Sequence, residues 1–358
     1  MSSLRRPPSR LALSRLALSR LALSRLAFPL AASLIALSLT ACGSGDSDGD
    51  ATAEETTSEE AFEPVTIEHA FGSTEIEERP ERVATWGWGS PDAVLALGIV
   101  PVAMEALTYG ANDEGFMPWQ AEAFDELGDT PTALTPGEAP PFEEIAAAAP
   151  DVILANYSGI TEADYEKLSK IAPTIAYPDQ PWSTPWRDVI TTVGEVLGES
   201  DEAEQVLAGI DAEVAEAAAA HPEFEGRTIA AVAIDPSAFY VYRGADPRVQ
   251  FLEDLGFTLA PSVDELDTEE STFYYTLSTE NVDRLTSDVL LSYAADQARA
   301  DEIAADPTYR TMEQFADGRV ASVVGEDIVS SVSPPTALSL AYSLDTFVDA
   351  LAEAVPAS

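Results

Sequence analysis

Short apolar segments alternate with amphipathic ones along two stretches of this sequence. In the first stretch, residues 82–86, 151–155 and 174–177 are typical of strands, and helical patterns lie between them. The same alternation resumes with apolar segments at residues 227–235 and 288–293. Strands that alternate with helices indicate parallel sheets joined by right-handed crossovers. The sequence therefore predicts an α/β protein with two Rossmann-like lobes, each built on a parallel sheet.

A single long α-helix is predicted to join the two lobes. Residues 201–220 form an almost uninterrupted helical pattern that ends before Pro222, and a helix of this length spans about 30 Å. The chain of 358 residues is also longer than the roughly 250–300 residues at which a single core stops growing. We therefore predict an N-terminal lobe over residues 64–200, an interlobe helix over 201–221 and a C-terminal lobe over 222–358.

The first 41 residues are typical of a secretory signal peptide. Six Arg and no acidic residue occur before residue 42. The uncharged stretch from Leu26 to Leu39 is shorter than the ~18–20 residues needed to span a bilayer. The sequence LTAC, which ends at Cys42, resembles the lipobox of bacterial lipoproteins, in which the Cys is acylated and becomes the first residue. We therefore predict a signal peptide over residues 1–41 and a lipid on Cys42.

An acidic segment follows Cys42. Residues 43–60 carry only negative charges and no aliphatic side chain larger than Ala. Such a segment buries too little apolar surface to offset its chain entropy. We predict a disordered tether over residues 42–63, which places the folded part on the outer face of the cytoplasmic membrane.

The chain is strongly acidic, with 63 Asp and Glu against 18 Lys and Arg and a formal net charge of −45. Binding to phosphates requires clustered cations, so this charge excludes nucleic acid as a partner. One Cys and two His exclude a disulfide scaffold and a Cys/His zinc site. We expect a monomer without a resident metal or cofactor.

Aromatic side chains follow three predicted strands of the first lobe. Trp86 and Trp88 come at the end of the first strand, Tyr157 follows the second and Trp182 follows the third. The carboxyl ends of parallel strands meet at one edge of a sheet, where open α/β sheets bind ligands. We therefore predict that these four residues contact a ligand. Trp186 lies inside a helical pattern and is predicted to belong to the core.

The second lobe offers further candidates for the ligand-binding site. Tyr240 and Tyr275 lie in aromatic segments, and Arg243 and Arg248 are scarce cations in so acidic a chain. Each Arg either contacts the ligand or pairs with a neighbouring carboxylate, and the sequence leaves both alternatives open. The predicted set of ligand contacts includes these four residues.

The sequence contains no catalytic motif. Ser-His-Asp chemistry needs a positioned imidazole, and His69 and His221 are predicted at the surface or at a helix end. No Gly-rich phosphate-binding loop occurs. A pair of carboxylates for glycoside cleavage leaves a tethered hydrolase open as an alternative. We predict that the protein is not an enzyme.

Two segments of the chain share a spacing. Glu143 precedes the strand that begins at Asp151, and Glu280 precedes the strand that begins at Asp288, with the same offset. Each pair is predicted to be a helix that leads into a strand. The repeat favours two lobes of similar construction.

Six stretches have the residues and the order of a known family. They are ERVATWGWGSPDAVLALGIVPVAM (81–104), EEIAAAAPDVILANYSGIT (143–161), YEKLSKIAPTIAYP (165–178), PRVQFLEDLGF (247–257), GRVASVV (318–324) and SPPTALSLAYSLD (333–345). From about Pro80 to Ala354 the chain resembles the iron-siderophore substrate-binding lipoproteins of bacterial ABC importers. The resemblance implies two lobes joined by one rigid helix. It also implies capture of a ferric siderophore outside the membrane and delivery to a permease.

The same resemblance assigns further roles. In this family a Glu on each lobe docks onto Arg residues of the permease, and the matching positions are Glu143 and Glu280. A catecholate complex would require Arg at the site, whereas a neutral or cationic hydroxamate complex would need less, and the excess of acid favours the latter. Haem or cobalamin is the alternative ligand, with Tyr274 or Tyr275 as the candidate axial ligand for haem.

Overall fold

The computed structural model describes residues 62–356. The predicted signal peptide, Cys42 and nearly all of the predicted tether lie outside these residues. The described part contains a two-stranded, a five-stranded and a six-stranded sheet. The strands are β1 (Val65–His69), β2 (Gly72–Ile76), β3 (Val83–Thr85), β4 (Ala103–Glu105), β5 (Thr132–Leu134), β6 (Val152–Ala155), β7 (Thr174–Ala176), β8 (Thr228–Asp235), β9 (Ala238–Tyr242), β10 (Thr258–Leu259), β11 (Tyr274–Leu277), β12 (Val289–Ala294) and β13 (Val320–Val324).

Helices cover the faces of the two larger sheets and connect them. They are α1 (Ser90–Ala96), α2 (Pro118–Leu127), α3 (Phe142–Ala148), α4 (Glu162–Leu168), α5 (Trp186–Leu197), α6 (Ser200–Ala220), α7 (Pro247–Asp254), α8 (Pro261–Leu266), α9 (Gln297–Ala305), α10 (Glu313–Ala316), α11 (Glu326–Val332) and α12 (Ser339–Ala354). In the part of the chain that is described, no helix has both the length and the hydropathy to cross a bilayer.

The N-terminal sheet is parallel throughout and has the strand order β5-β4-β3-β6-β7. Its central pair aligns Val83 with Val152, and all four residues of β6 are buried. Burial on both faces explains why β6 reads as a continuous apolar run. The strand order reverses between β3 and β6, so the loops that leave these strands enclose the crevice where α/β sheets bind ligands.

The C-terminal sheet has the order β11-β9-β8-β12-β13, with β10 beside β8. Strands β8, β10, β12 and β13 run parallel. β9 is antiparallel to β8 and β11 is antiparallel to β9. The predicted α/β class is confirmed, but a wholly parallel sheet is wrong for this lobe. Pro236 and Ser237 form the tight turn that reverses the chain between β8 and β9.

Helix α6 contacts α5 of the N-terminal lobe and α7 and α12 of the C-terminal lobe. It buries Ala203, Ile210 and Val214, which lie on one face because they are seven and four residues apart. Arg187 of α5 donates to Asp211 of α6 at 2.7 Å and to Asp254 of α7 at 2.8 Å. This guanidinium links both lobes to the helix between them.

One hydrophobic cluster runs through both lobes. It includes Leu154 of the N-terminal sheet, Ile210 of α6, Leu291 of the C-terminal sheet and Phe347 of α12. The two lobes therefore share a continuous core in addition to the connecting helix.

The predicted surface position of His69 was wrong. His69 is buried in the β1–β2 hairpin, 7% exposed, because its Nε2 lies 3.0 Å from the hydroxyl of Thr74. The last helix, α12, begins at Ser339. The backbone N–H of Thr336 donates to Ser339 Oγ, and the backbone N–H of Ser339 donates to Thr336 Oγ1. These two hydrogen bonds fix the start of the helix.

Candidate functional site

The loops after β3 and β6 are bonded to each other at the switch point of the N-terminal sheet. The backbone N–H of Trp88 donates to the carbonyl of Tyr157 at 3.0 Å. Gly87 has a φ of +96°, and a Cβ there would lie 2.5 Å from the Tyr157 carbonyl oxygen. Glycine is therefore required at this position, since it permits both the backbone angle and the close approach. The two loops present Trp88 and Tyr157 side by side.

Trp182 forms the outer part of the same wall. Its ring meets that of Tyr157 edge to face, with the centroids 5.8 Å apart. Its side chain is 38% exposed, and it adopts a left-handed φ of 58°, a costly conformation for a bulky residue. A Cβ at Gly159 would lie 2.3 Å from the indole nitrogen. The chain is thus shaped to hold an exposed indole at the rim.

A buried ion pair forms the opposing wall on the C-terminal lobe. Arg248 Nη1 lies 3.0 Å from Asp246 Oδ2, and its guanidinium lies over the ring of Tyr242 at 4.2 Å from the centroid. Arg248 Nε donates to Ser333 Oγ at 2.9 Å. Asp246 is also the N-cap of α7, accepting from the backbone N–H of Arg248 at 2.8 Å. The pair is therefore fixed by the start of a helix.

Electrostatics couple the two walls. Burial raises the pKa of the Asp246 carboxyl, and the Arg248 guanidinium opposes this shift. Burial alone would lower the pKa of Arg248, but Asp246 and the surrounding tyrosines more than offset it, so that pKa is raised. Burial also raises the pKa of Tyr157, and Arg248 of the opposite lobe partly counteracts it. The site therefore contains the Asp246–Arg248 ion pair beside phenols whose pKa values are raised.

Tyr293, at the carboxyl end of β12, completes this wall. It is 8% exposed, and its ring meets that of Tyr242 edge to face, with the centroids 6.2 Å apart. Its hydroxyl has no hydrogen-bond partner among residues 62–356. An unpaired buried hydroxyl is rare in proteins and calls for an explanation. It supplies a hydrogen-bonding group beside Arg248.

The sequence interpretation missed several residues of this wall. They are Tyr242, Asp246, Tyr293 and Ser333. The pattern Phe239-Tyr-Val-Tyr contained a signal, because in a strand Tyr240 and Tyr242 share one face. Tyr240 is half-buried, and its ring meets that of Tyr274 edge to face at 5.4 Å.

Two predicted ligand contacts are core residues instead. Tyr275 is fully buried and donates its hydroxyl to the carbonyl of Val263 at 3.0 Å. Trp86 is 4% exposed and packs in the core of the N-terminal sheet. Trp186 is buried, as predicted.

The predicted cations are both paired with carboxylates. Arg243 Nε lies 2.7 Å from Asp267 Oδ2, and Arg248 is paired with Asp246 as described above. For Arg243 the pairing with a neighbouring carboxylate is therefore the alternative that the structure favours. Arg248 also faces the other lobe, and its contact with the ligand stays a prediction.

Little open space lies beside Trp88 and Tyr157. The cavity lined by Trp88, Tyr157, Pro334 and Thr336 measures about 10 Å³, roughly the space for one water. A groove of about 810 Å³ lies instead at the opposite edge of the C-terminal sheet. Its lining includes five acidic side chains and no aromatic one, and the groove lies away from the carboxyl strand ends. The aromatic walls are therefore the better candidate site.

Glu143 and Glu280 are both exposed. Glu143 lies in the first turn of α3, whereas Glu280 lies in a turn before a 3₁₀ turn at Val282–Arg284, so the predicted second helix is wrong. The acids that follow them have equivalent bonds. Asp151 Oδ2 accepts from the backbone N–H of Glu81 at 2.8 Å, and Asp288 Oδ2 accepts from that of Thr228 at 2.9 Å.

No group of three or more His, Cys, Asp or Glu suited to a metal ion occurs in the described range. Two α/β lobes that face each other across aromatic walls define a class of protein that binds small solutes between its lobes. A family model described as periplasmic binding protein matches residues 83–323. The chain belongs to this family.

Individual relatives are similar over most of the chain. The ferric enterobactin-binding periplasmic protein FepB of Escherichia coli O6:H1 is 30% identical over 259 residues, which cover 68% of this chain and 79% of FepB. The ferric-anguibactin-binding protein FatB of Vibrio anguillarum is 26% identical over 274 residues, 73% of this chain and 80% of FatB. The crystal structure of PiaA from Streptococcus pneumoniae TIGR4 in complex with ferrichrome superimposes with a TM-score of 0.75. It is 35% identical and covers 81% of this chain and 98% of PiaA.

Proposed function

We propose that this protein captures a ferric siderophore outside the cytoplasm and delivers it to the permease of an ABC importer. FepB, FatB and PiaA, whose names or structures refer to ferric siderophores or to ferrichrome, support the ligand class. The observation that carries the proposal is the pair of facing walls, Trp88, Tyr157 and Trp182 on one lobe and Tyr242 and Arg248 on the other. A rigid chelate with apolar and oxygen-rich surfaces matches indole, phenol and guanidinium groups.

The charge of the site favours a chelate without a large negative charge. Arg248 is neutralised by Asp246, and Arg243 is paired with Asp267. Neither Arg248 nor Arg243 therefore offers an uncompensated positive charge to a strongly anionic tris-catecholate complex. A neutral hydroxamate complex such as ferrichrome needs hydrogen bonds only, and Arg248 and Tyr293 offer donors for them. Because the Arg248 side chain is 12% exposed, neighbouring side chains must move for a chelate to reach it.

Fluorescence titration of the purified protein tests this assignment. Ferrichrome is expected to quench tryptophan emission and to saturate at one ligand per chain, with ferric enterobactin binding more weakly. Iron-free ferrichrome is the control for optical artefacts. Tighter binding of ferric enterobactin would overturn the charge argument and leave the siderophore assignment intact. Binding of haem or cobalamin alone would replace the siderophore with one of the alternative ligands, although the buried Tyr275 is unsuited to be an axial haem ligand.

Delivery completes the proposed function. Glu143 and Glu280 dock onto the permease, and a lipid on Cys42 retains the protein at the outer face of the cytoplasmic membrane. The protein works as a monomer without a catalytic role or resident cofactor, and the iron enters inside the chelate. The exposure of both Glu side chains supports the docking role. Cys42→Ser is expected to release the protein from membranes in cell fractionation, and retention of this variant would refute the anchor.

A further inference from the structure

Residues 333–338 connect α11 to α12 and lie against the opposite lobe. We call this segment the 333–338 connector. Pro334, Pro335 and Thr336 are buried. Leu338 packs against an apolar cluster of the N-terminal lobe that contains Leu95, Met104, Phe116 and Phe124. The connector thus belongs to the C-terminal lobe by sequence and to the N-terminal lobe by packing.

Two consecutive connector residues each bind a side chain of the proposed ligand site. Ser333 Oγ accepts from Arg248 Nε of the C-terminal lobe at 2.9 Å. The carbonyl of Pro334 accepts from the indole N–H of Trp88 of the N-terminal lobe, also at 2.9 Å. Adjacent residues hold a nearly fixed separation along the backbone. The connector therefore sets the position of Trp88 relative to Arg248 across the lobe boundary.

A buried carboxylate anchors the connector. The hydroxyl of Thr336 donates to Asp92 Oδ2. Asp92 also accepts from Trp119 Nε1 at 2.7 Å and from Gln120 Nε2 at 2.6 Å, and it is 1% exposed. Hydrogen bonds to an ionised acceptor are stronger than those between neutral groups. Since Asp92 belongs to α1 and Thr336 to the connector, this bond joins the two lobes.

We infer that the 333–338 connector is a positioning element, which Asp92 holds through Thr336, and that it aligns Trp88 and Arg248 for the ligand. The inference rests on the proposed function for the identity of the ligand. The anchoring bond joins Thr336 to Asp92 and is made by neither Trp88 nor Arg248. Thr336 therefore acts on binding through Pro334 and Ser333.

Binding of ferrichrome by variants of the full-length protein gives the first test. Thr336→Val keeps the side-chain shape and removes the donor, and it is expected to weaken binding about tenfold. Thr336→Ser restores the hydroxyl and is expected to restore affinity. Thr174→Val is the matched control, because Thr174 is fully buried and donates to the carbonyl of Ala172 at 3.0 Å, outside the site. Equal effects of Thr336→Val and Thr174→Val would reduce Thr336 to a structural role and overturn the inference.

A measurement without ligand separates this inference from the proposed function. The indole N–H of Trp88 is observed by NMR in uniformly ¹⁵N-labelled protein and assigned by its loss in Trp88→Phe. Its exchange with solvent is expected to accelerate about tenfold in Thr336→Val and to stay unchanged in Thr336→Ser and Thr174→Val. Unchanged exchange in Thr336→Val would overturn the inference even if ferrichrome binds. Faster exchange in a protein that binds no chelate would support the connector and refute the ligand.

A second variant covers the case in which Thr336→Val does not fold. Ser333→Ala removes the acceptor for Arg248 and leaves the anchor intact. It is expected to weaken ferrichrome binding about threefold with the Trp88 indole exchange unchanged. Unchanged affinity in Ser333→Ala would show that the connector does not position Arg248.

Discussion

Each lobe buries an aspartate at the start of a helix that faces the other lobe, and the two carboxylates are stabilised differently. Asp246 caps α7 and is paired with the Arg248 guanidinium. Asp92, in the first turn of α1, accepts from Trp119, Gln120 and Thr336 and forms no ion pair within the described chain. Asp246, in the C-terminal lobe, neutralises a cation of the proposed site. Asp92, in the N-terminal lobe, holds the connector. Two buried aspartates at helix starts are thus proposed to serve recognition in one lobe and alignment in the other.

The two sheets differ in the same sense. The N-terminal sheet is wholly parallel and presents its aromatic residues from loops. The C-terminal sheet adds the antiparallel strands β9 and β11, and Tyr240 and Tyr242 stand on the face of β9 itself. Strands are stiffer platforms than loops. Any adjustment to ligands of different size is therefore expected mainly from the loops of the N-terminal lobe.

The largest expected effect concerns permease docking, where the lobes are proposed to be equivalent. Glu143→Arg with Glu280→Arg replaces the two proposed docking carboxylates with cations and is expected to reduce siderophore uptake to that of a strain lacking the protein. Affinity for ferrichrome is expected to stay unchanged, because both Glu lie outside the walls. Each single variant is expected to lose a similar part of uptake. Normal uptake by the double variant would remove both residues from the interface.

Breaking the buried pair of the C-terminal lobe is expected to have the next largest effect. Asp246→Ala leaves Arg248 buried without a counter-ion and removes the α7 cap, lowering the free energy of unfolding by about 3–5 kcal/mol. Urea denaturation measures this change. The control is Glu302→Ala, which removes the partner of Arg299 from a pair in which Glu302 is 70% exposed, at a cost below about 1 kcal/mol. A similar cost for both variants would contradict the importance of the buried pair.

Removing the indole of the N-terminal wall is expected to weaken ferrichrome binding about 30-fold in Trp88→Ala, as is typical of a central aromatic contact. Tyr275→Phe removes the hydroxyl bond to Val263 in the other lobe's core and is expected to lower stability while leaving affinity unchanged. Isothermal titration of both variants gives the comparison. Unchanged affinity in Trp88→Ala would remove Trp88 from the site.

The smallest expected effect is a dependence of stability on pH that originates at Asp92. Burial raises the pKa of this carboxyl, and its three donors oppose the shift. The folded protein then keeps the proton to a higher pH than the unfolded chain, so this contribution to stability is present at acidic pH and is lost as pH rises through the folded pKa. The free energy of unfolding of the protein relative to Asp92→Asn is therefore expected to be larger at about pH 4 than at about pH 7. Urea denaturation of both proteins at the two pH values measures this difference in the free energy of unfolding. A difference that is larger at about pH 7 than at about pH 4 would contradict the prediction.

Elements with a strong local pattern were predictable from the sequence. Strands β6 and β7 are short apolar runs, and α6 follows the long helical pattern that ends before Pro222. The positions of Trp88 and Tyr157 followed from the rule that ligands bind at carboxyl strand ends.

The face on which an aromatic residue lies was not predictable at several positions. Tyr274 and Tyr275 are adjacent in β11 and point to opposite faces, one half-buried and one in the core. Until β11 is known to be a strand, and known to pair with β9, the sequence does not assign either face. Trp86 and Trp88 present the same difficulty at the end of β3. Asp246 was missed because its importance depends on Arg248 being buried, which is a tertiary property.

The apolar cluster that runs from Leu154 through Ile210 to Phe347 bears on how this molecule can be divided or recombined. A chimera that exchanges one lobe for that of a relative would cut this cluster wherever the junction lies near α6. A new ligand preference is therefore best introduced by exchanging the loops that carry the wall residues, while α5, α6 and α12 are all kept from one parent protein. Calorimetry of the intact chain should accordingly show a single heat-absorption peak for residues 62–356, since neither half retains a complete interior when the other melts.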